Sequence, residues 1–364
     1  VSTRSRFPEK PFDFILTLSY TKHRIHKKGI TAMKYIVLGY TYDAAMPDVT
    51  EADVKKLTHM NLAFGVIKDG LLDMSKLTNW DYIHNYRIWN PDLKLVLSVG
   101  GWGAGGFSNM ALTEEGRRAF AASCLAVVEQ YNLDGIDIDW EYPTSSAADI
   151  SSSPDDTKNF TKLMKDLRKV LGQDRLLTLA SAASAEYIDF KAIEPYMDFV
   201  NIMAYDMANA PKHHSALYES ENSGSITSDK AVKAHIAAGF PAHKLVLGMP
   251  FYGRGGLKIS SFNDYKDLHR HTGVVEKWDE KAMVPYLEDE EGVLQLGYEN
   301  PRSLRIKCEY VKENGLKGAM YWDYDGDNED GDLRKTVAEN ILGKEYAATR
   351  SANYAGKRVR FKAL

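Results

Sequence analysis

The chain has 364 residues, 44% of them apolar and 26% charged, with a net charge of −4. That length suggests two domains, or one large fold with an insertion, and the apolar content suffices for a large core. No apolar run reaches the ~18–20 residues of a membrane helix, two cysteines are too few for a disulfide framework or a cysteine-ligated zinc site, and the near-balanced charge makes no case for nucleic acid as a partner.

The balance conceals an uneven distribution. Residues 1–32 carry seven Lys/Arg against two Asp/Glu, and 344–364 carry six against one, so each end is +5 and the body 33–343 is −14. A flexible N-terminal extension is expected over 1–32, and a basic C-terminal tail over 344–364. The run 12–20 (FDFILTLSY) contains Asp13 and lacks a small-residue cleavage site after it, which makes it a poor signal peptide.

Between the ends, eight β-type runs follow one another at 35–40, 59–65, 93–100, 133–140, 176–182, 199–205, 245–251 and 317–322. Most are too continuously apolar for half-exposed strands and fit parallel strands buried on both faces. Helical periodicity fills the gaps. Over 156–171, Phe160, Leu163, Met164, Leu167, Val170 and Leu171 fall on one stripe, and 113–131 repeats the pattern through Phe120, Cys124, Leu125, Val127 and Val128. Cys124 on such a stripe reads as a small core residue.

Alternating strands and helices imply an α/β fold, and the spacing chooses among them. The stretch 255–317 is 63 residues long, and removing it from 33–343 leaves 248, close to the ~250 of a (β/α)8 TIM barrel. No G-x-G-x-x-G opens a helix after the first run, which disfavours a dinucleotide fold, and the glycine-rich 100–106 lacks the Lys-Ser/Thr of a phosphate loop. The expectation is a barrel over 33–254 and 318–343, with a small α+β insertion at 255–317 between strands 7 and 8.

The informative segment is Asp134-Gly-Ile-Asp137-Ile-Asp139-Trp140-Glu141. Strand side chains alternate, so Asp137, Asp139 and Glu141 share the barrel interior while Ile136, Ile138 and Trp140 face the helices. Three buried like charges cannot all ionise, so protons must be shared, which is what keeps a general acid protonated near neutral pH. With no histidine nearby, a metal site is disfavoured, and no metal or cofactor is expected. Glu141, last in the row, belongs at the rim. The pair His213-His214 reads as part of a loop at the site, since adjacent side chains point apart.

Asp134-x-x-Asp137-x-Asp139-x-Glu141 resembles the signature of glycoside hydrolase family 18, the chitinases and their relatives. Further segments resemble that family in order: Ser98-Val-Gly100-Gly101-Trp102, Met203-Ala-Tyr205-Asp206, Gly248-Met-Pro-Phe-Tyr252-Gly-Arg254 and Gly318-Ala-Met-Tyr-Trp322. Within the insertion, Trp278-Asp279, Val284-Pro-Tyr286 and Pro301-Arg302-Ser303-Leu304 resemble its usual sequence.

The resemblance implies retaining, substrate-assisted hydrolysis of β-1,4-linked N-acetylglucosamine polymers, an exception to the two-carboxylate rule of most glycosidases. Glu141 is then the acid/base, Asp139 its partner at the acetamido group, and Asp137 the inner carboxylate that holds Asp139, hydrogen-bonded by Tyr40 and Ser98. Tyr205 and Asp206, with Met203 in the same motif, contact the sugar at the reacting subsite, and Trp322 forms its floor. Trp102, Tyr252 and Arg254 are assigned to the cleft, and Trp140 to packing. Chitin and chitooligosaccharides are the expected partners, with no nucleic acid and no membrane insertion, for an enzyme acting as a monomer. Secretion is expected from the polymeric substrate. Endo-β-N-acetylglucosaminidase action on N-glycans and a chitin-binding lectin on the same barrel are the rival readings.

Overall fold

The computed structural model describes residues 35–257 and 263–344. The expectations for the N-terminal extension, and for the tail beyond Lys344, lie outside the described residues. Each of the eight apolar runs becomes a strand, because β-branched and long aliphatic residues buried on both faces fit a parallel sheet flanked by helices. The barrel strands are β1 (Ile36–Tyr42), β2 (His59–Lys68), β3 (Lys94–Gly100), β4 (Gly135–Asp139), β5 (Leu176–Ala182), β6 (Phe199–Met203), β7 (Leu245–Pro250) and β8 (Gly318–Trp322). Neighbours pair in parallel in that order, and β8 pairs with β1 through Ile36–Gly318 to Gly39–Tyr321, which closes the barrel.

Two apolar cores result. Inside the barrel, Ile36, Leu38, Phe199, Val246 and Met320 fill the space beneath the site. Outside it, Ile136, Ile138 and Trp140 join residues of the surrounding helices. Trp140 stacks on Phe107 at 5.2 Å and 9° and meets Phe160 at 6.1 Å, so the alternation read from the sequence sends it outward, as packing. The helices Glu114–Gln130 and Asp156–Leu171 bury Phe120 and Cys124, and Phe160, Leu163, Met164 and Leu167, against this layer. Full burial of each large side chain contributes about 1.5–3 kcal/mol.

Between β7 and β8 the chain builds a four-stranded antiparallel sheet from Arg254–Gly255, Val275–Asp279, Val284–Glu288 and Leu294–Gly297. The next helix, Pro301–Glu313, packs against Asp332–Leu342 and β8. It occupies the place of a barrel crossover helix, so we propose that the inserted piece begins at Arg254 and ends near 300, a shorter piece than 255–317.

Candidate active site

The site lies at the carboxyl ends of the strands, where a (β/α)8 barrel gathers side chains from several strands into one mouth. Strand β4 and the two residues after it carry the acid row. Asp134, just before it, faces the opposite end: its carboxylate accepts the Leu95 N–H at 2.9 Å and pairs with Arg87 at 2.8 Å and Lys94 at 3.0 Å. It therefore anchors the strand and takes no part in the site.

Asp137 is fully buried and held by neutral donors from four other strands. Tyr40 and Ser98 hydroxyls each donate to Oδ2 at 2.8 Å, while the Thr178 hydroxyl at 2.6 Å and the Asn201 amide at 3.3 Å donate to Oδ1. Burial pushes this carboxyl above the usual range, and the four hydrogen bonds pull it back. Tyr40 and Ser98 stand where the resemblance implied. Thr178 and Asn201 are not marked in the sequence, because a neutral polar residue on an apolar strand gives no local sign of what it will meet.

Asp139 is 3% exposed, and its Oδ1 has no hydrogen-bond partner among the described residues. Burial, then the charges of Glu141 and Asp137, push it well above the carboxylate range. The backbone around it explains the glycines of the strand-three motif. Gly100 has φ +125°, and a Cβ there would sit 2.0 Å from the Asp139 carbonyl, which accepts the Gly101 N–H at 2.9 Å. No other residue permits that approach.

Glu141 is half-buried at the rim. Burial raises its carboxyl to about 7, the Asp206 charge adds to this, and a hydrogen bond from the Tyr142 hydroxyl opposes it. Tyr142 in turn stacks on Tyr187 at 5.0 Å and 9°, with Trp102 edge-on at 6.4 Å. Trp102 is 65% exposed on the loop after β3, open to a ligand.

Two strands further round the barrel, Met203 ends β6 and Tyr205 and Asp206 follow it. Asp206 accepts a two-pronged contact from Arg254, Nε to Oδ1 at 2.7 Å and a terminal nitrogen to Oδ2 at 2.8 Å, and the Tyr252 hydroxyl at 2.9 Å. Burial acts to raise its pKa, but Arg254 and then His214 outweigh this and hold it well below the usual range. Tyr252, assigned to the cleft, is buried, edge-on to Tyr205 at 6.1 Å, and bonded to Asp206. Trp322 ends β8 against Tyr40 at 5.4 Å, Tyr42 at 5.2 Å and Phe64 at 5.6 Å, the last nearly parallel at 25°. Tyr42 and Phe64 are further aromatic members that the sequence did not single out.

The two histidines do point apart. His213 meets Asp279 of the inserted sheet at 3.1 Å, and His214 meets Asp206 at 3.4 Å. Among the described residues no cluster of His, Cys, Asp and Glu could hold a metal ion. The arrangement can protonate a leaving oxygen from Glu141 and keep a second carboxyl protonated behind it.

A family model for glycosyl hydrolases family 18 matches residues 33–327 of the chain. The chain belongs to glycosyl hydrolase family 18. It is 34% identical to Chitinase A1 of Niallia circulans over 298 residues, which take in 68% of this chain but 43% of that protein's length. A family 18 N-acetylglucosaminidase from Paenibacillus barengoltzii superposes with a TM-score of 0.79 at 36% identity, over 84% of this chain and 100% of that one. The cell-surface-expressed, multi-modular chitinase ChiW of Paenibacillus sp. FPU-7 superposes with a TM-score of 0.77 at 31% identity, over 85% of this chain and 33% of that one.

Proposed function

We propose that this family 18 member hydrolyses β-1,4 linkages between N-acetylglucosamine units of chitin and chitooligosaccharides, with retention and with assistance from the substrate. The observation that carries the reading is the graded row on β4. Asp137 is satisfied by four donors, Asp139 is buried with an unpartnered oxygen, and Glu141 sits at the mouth near neutral pKa.

Glu141 protonates the scissile oxygen while the carbonyl oxygen of the substrate's own 2-acetamido group attacks the anomeric carbon. The C–O bond to the leaving sugar breaks and an oxazolinium ion forms. Water, deprotonated by Glu141, then attacks the anomeric carbon from the face the leaving sugar vacated, breaks the ring C–O bond to the acetamido oxygen and restores the acetamido group. Asp139 turns to hydrogen-bond the acetamido N–H and offset the positive charge, and Asp137 holds it until it turns. Tyr205 and Asp206 contact the distorted sugar, Trp322 lies beneath it, and Trp102 serves the cleft. The extracellular space is the proposed location, in line with the polymeric substrate and the cell-surface chitinase that the chain is similar to.

Release of single terminal units is a second reading, favoured by the likeness to the Paenibacillus N-acetylglucosaminidase. Time-resolved products from chitin hexamer separate the two: internal cleavage yields mid-length oligomers at once, terminal cleavage yields the monosaccharide. NMR of the first products should show the β anomer, and prompt α anomer would overturn retention. Efficient cleavage of plain cello-oligosaccharides would overturn assistance by the acetamido group. A glycoprotein N-glycan assayed in parallel tests endo-β-N-acetylglucosaminidase action, and binding without turnover would indicate a lectin.

A further inference from the structure

Asp206 stands in a left-handed backbone conformation, which aspartate enters more readily than most residues with a Cβ but which still needs its surroundings to hold it. Its φ is +53°, in the left-handed region that residues with a Cβ seldom adopt. One residue, His214, catches the two successive N–H groups of that turn. Its ring Nδ1 accepts the Asp206 N–H at 3.3 Å, and its carbonyl accepts the Met207 N–H at 3.0 Å. The same nitrogen lies 3.4 Å from Asp206 Oδ1, and the ring lies 5.4 Å from that of Tyr252, which also bonds Asp206. Whether Nδ1 accepts from the backbone or, protonated, donates to the carboxylate, its partner is Asp206.

The ring is fully buried, and its Nε2 has no hydrogen-bond partner among the described residues. A buried polar atom left unpaired is costly, so the ring's placement has to be set by its surroundings. Its flanking residues set it. His213 binds Asp279 of the inserted sheet at 3.1 Å and stands edge-on to Tyr286 at 5.4 Å. The Ser215 hydroxyl donates to Glu299 at 2.6 Å, and Lys307 donates to the Ser215 carbonyl at 2.5 Å. Three consecutive side chains thus grip the inserted sheet, the Asp206 turn and the buried Glu299–Lys307 pair.

We infer that His214 is a positioning residue for the reaction: it fixes the left-handed turn that aims the Asp206 carboxylate, and the contacts of His213 and Ser215 tie that aim to the insertion. The inference rests on the proposed role of Asp206 at the reacting subsite. His214 itself touches no substrate; it acts through Asp206.

The test uses the full chain and the variants His214→Ala, His214→Asn and Asp206→Ala. Asn keeps an acceptor close to the position of Nδ1, and Ala removes it. On a chitooligosaccharide, His214→Ala should lower kcat about tenfold, the scale of one hydrogen bond to a charged or strained site, with a smaller change in KM. His214→Asn should restore most of it. In the Asp206→Ala background, His214→Ala should change kcat less than twofold, because nothing remains to be aimed; a tenfold loss there as well would mean a general structural role and overturn the inference.

Deuterium exchange of the amides in 203–210 gives a readout independent of turnover. Exchange should be faster in His214→Ala and return to the wild-type rate in His214→Asn. Equal exchange in all three would overturn the contact. A wild type that turns over no chitooligosaccharide, while exchange separates the variants as expected, would overturn the enzymatic reading and support the contact.

Discussion

Tyr142→Phe isolates one cause of the Glu141 pKa without touching its fold position. Glu141 must carry a proton to act as the acid, so kcat/KM should fall as pH rises through about 7, the value that burial and the Asp206 charge give it against the Tyr142 hydrogen bond. The Tyr142 hydroxyl stabilises the charged form of Glu141. Deleting it leaves burial and Asp206 unopposed, so the pKa and the alkaline limb move up. A hydrogen bond to a charged group contributes about 1.5–3 kcal/mol, and one pKa unit corresponds to about 1.36 kcal/mol. At a half-buried rim the lower end applies, an upward shift of about one unit. The Tyr142 ring remains stacked on Tyr187 in the variant, so the loss is confined to the hydroxyl. Initial rates on a fluorogenic chitobioside, from mildly acid to mildly alkaline pH, measure the limb. As the reference, Glu141→Gln should lower turnover by about 10²–10⁴ with binding retained. A limb that stays put or moves down in Tyr142→Phe, with an unchanged thermal midpoint, would refute both the hydrogen bond's role and Glu141 as the group that titrates.

Asp139→Asn should lower kcat by about 10²–10³ while chitooligosaccharide binding changes little, because its contact strengthens as positive charge develops; calorimetric affinities beside kcat test this, and equal losses would assign Asp139 a structural role. His235 is buried, with its ring nitrogens 2.8 Å from Ser181 Oγ and 2.7 Å from the Ala231 carbonyl, and burial lowers its pKa from 6.5 to about 4. Between those values the unfolded chain binds more protons, so this stability is full above the unfolded pKa and is lost as pH falls towards about 4. Denaturant unfolding of wild type against His235→Gln should therefore diverge in pH dependence by up to about 3 kcal/mol across that window, and parallel curves would refute it. Lys307 and Glu299 are both fully buried and paired at 2.5 Å. Lys307→Met alone should cost about 3–5 kcal/mol by stranding a buried carboxylate, and adding Glu299→Leu should recover most of it; an additive double variant would refute the pairing.

The strand ladder and the acid row were legible in the sequence because both depend on a period of two. Continuous apolar runs marked strands buried on both faces, and the alternation of β4 sent Asp137, Asp139 and Glu141 inward and Trp140 out against Phe107. The family motifs marked Ser98 within its strand, and Tyr205, Asp206 and Trp322 at or just past the ends of theirs. What they left out was the company these residues keep. The donors on Asp137 come from four other strands, Tyr40 from 97 positions away and Asn201 from 64, and only closure of the barrel brings them to one carboxylate. The same holds for the Asp206 turn. Its position followed from the motif, but its left-handed backbone, the grip of His214 and the two-pronged contact from Arg254 depend on a loop, a barrel strand end and an inserted sheet meeting. Local pattern determines which way a side chain points. What it meets there, and so its charge state, depends on chain segments that local pattern does not contain.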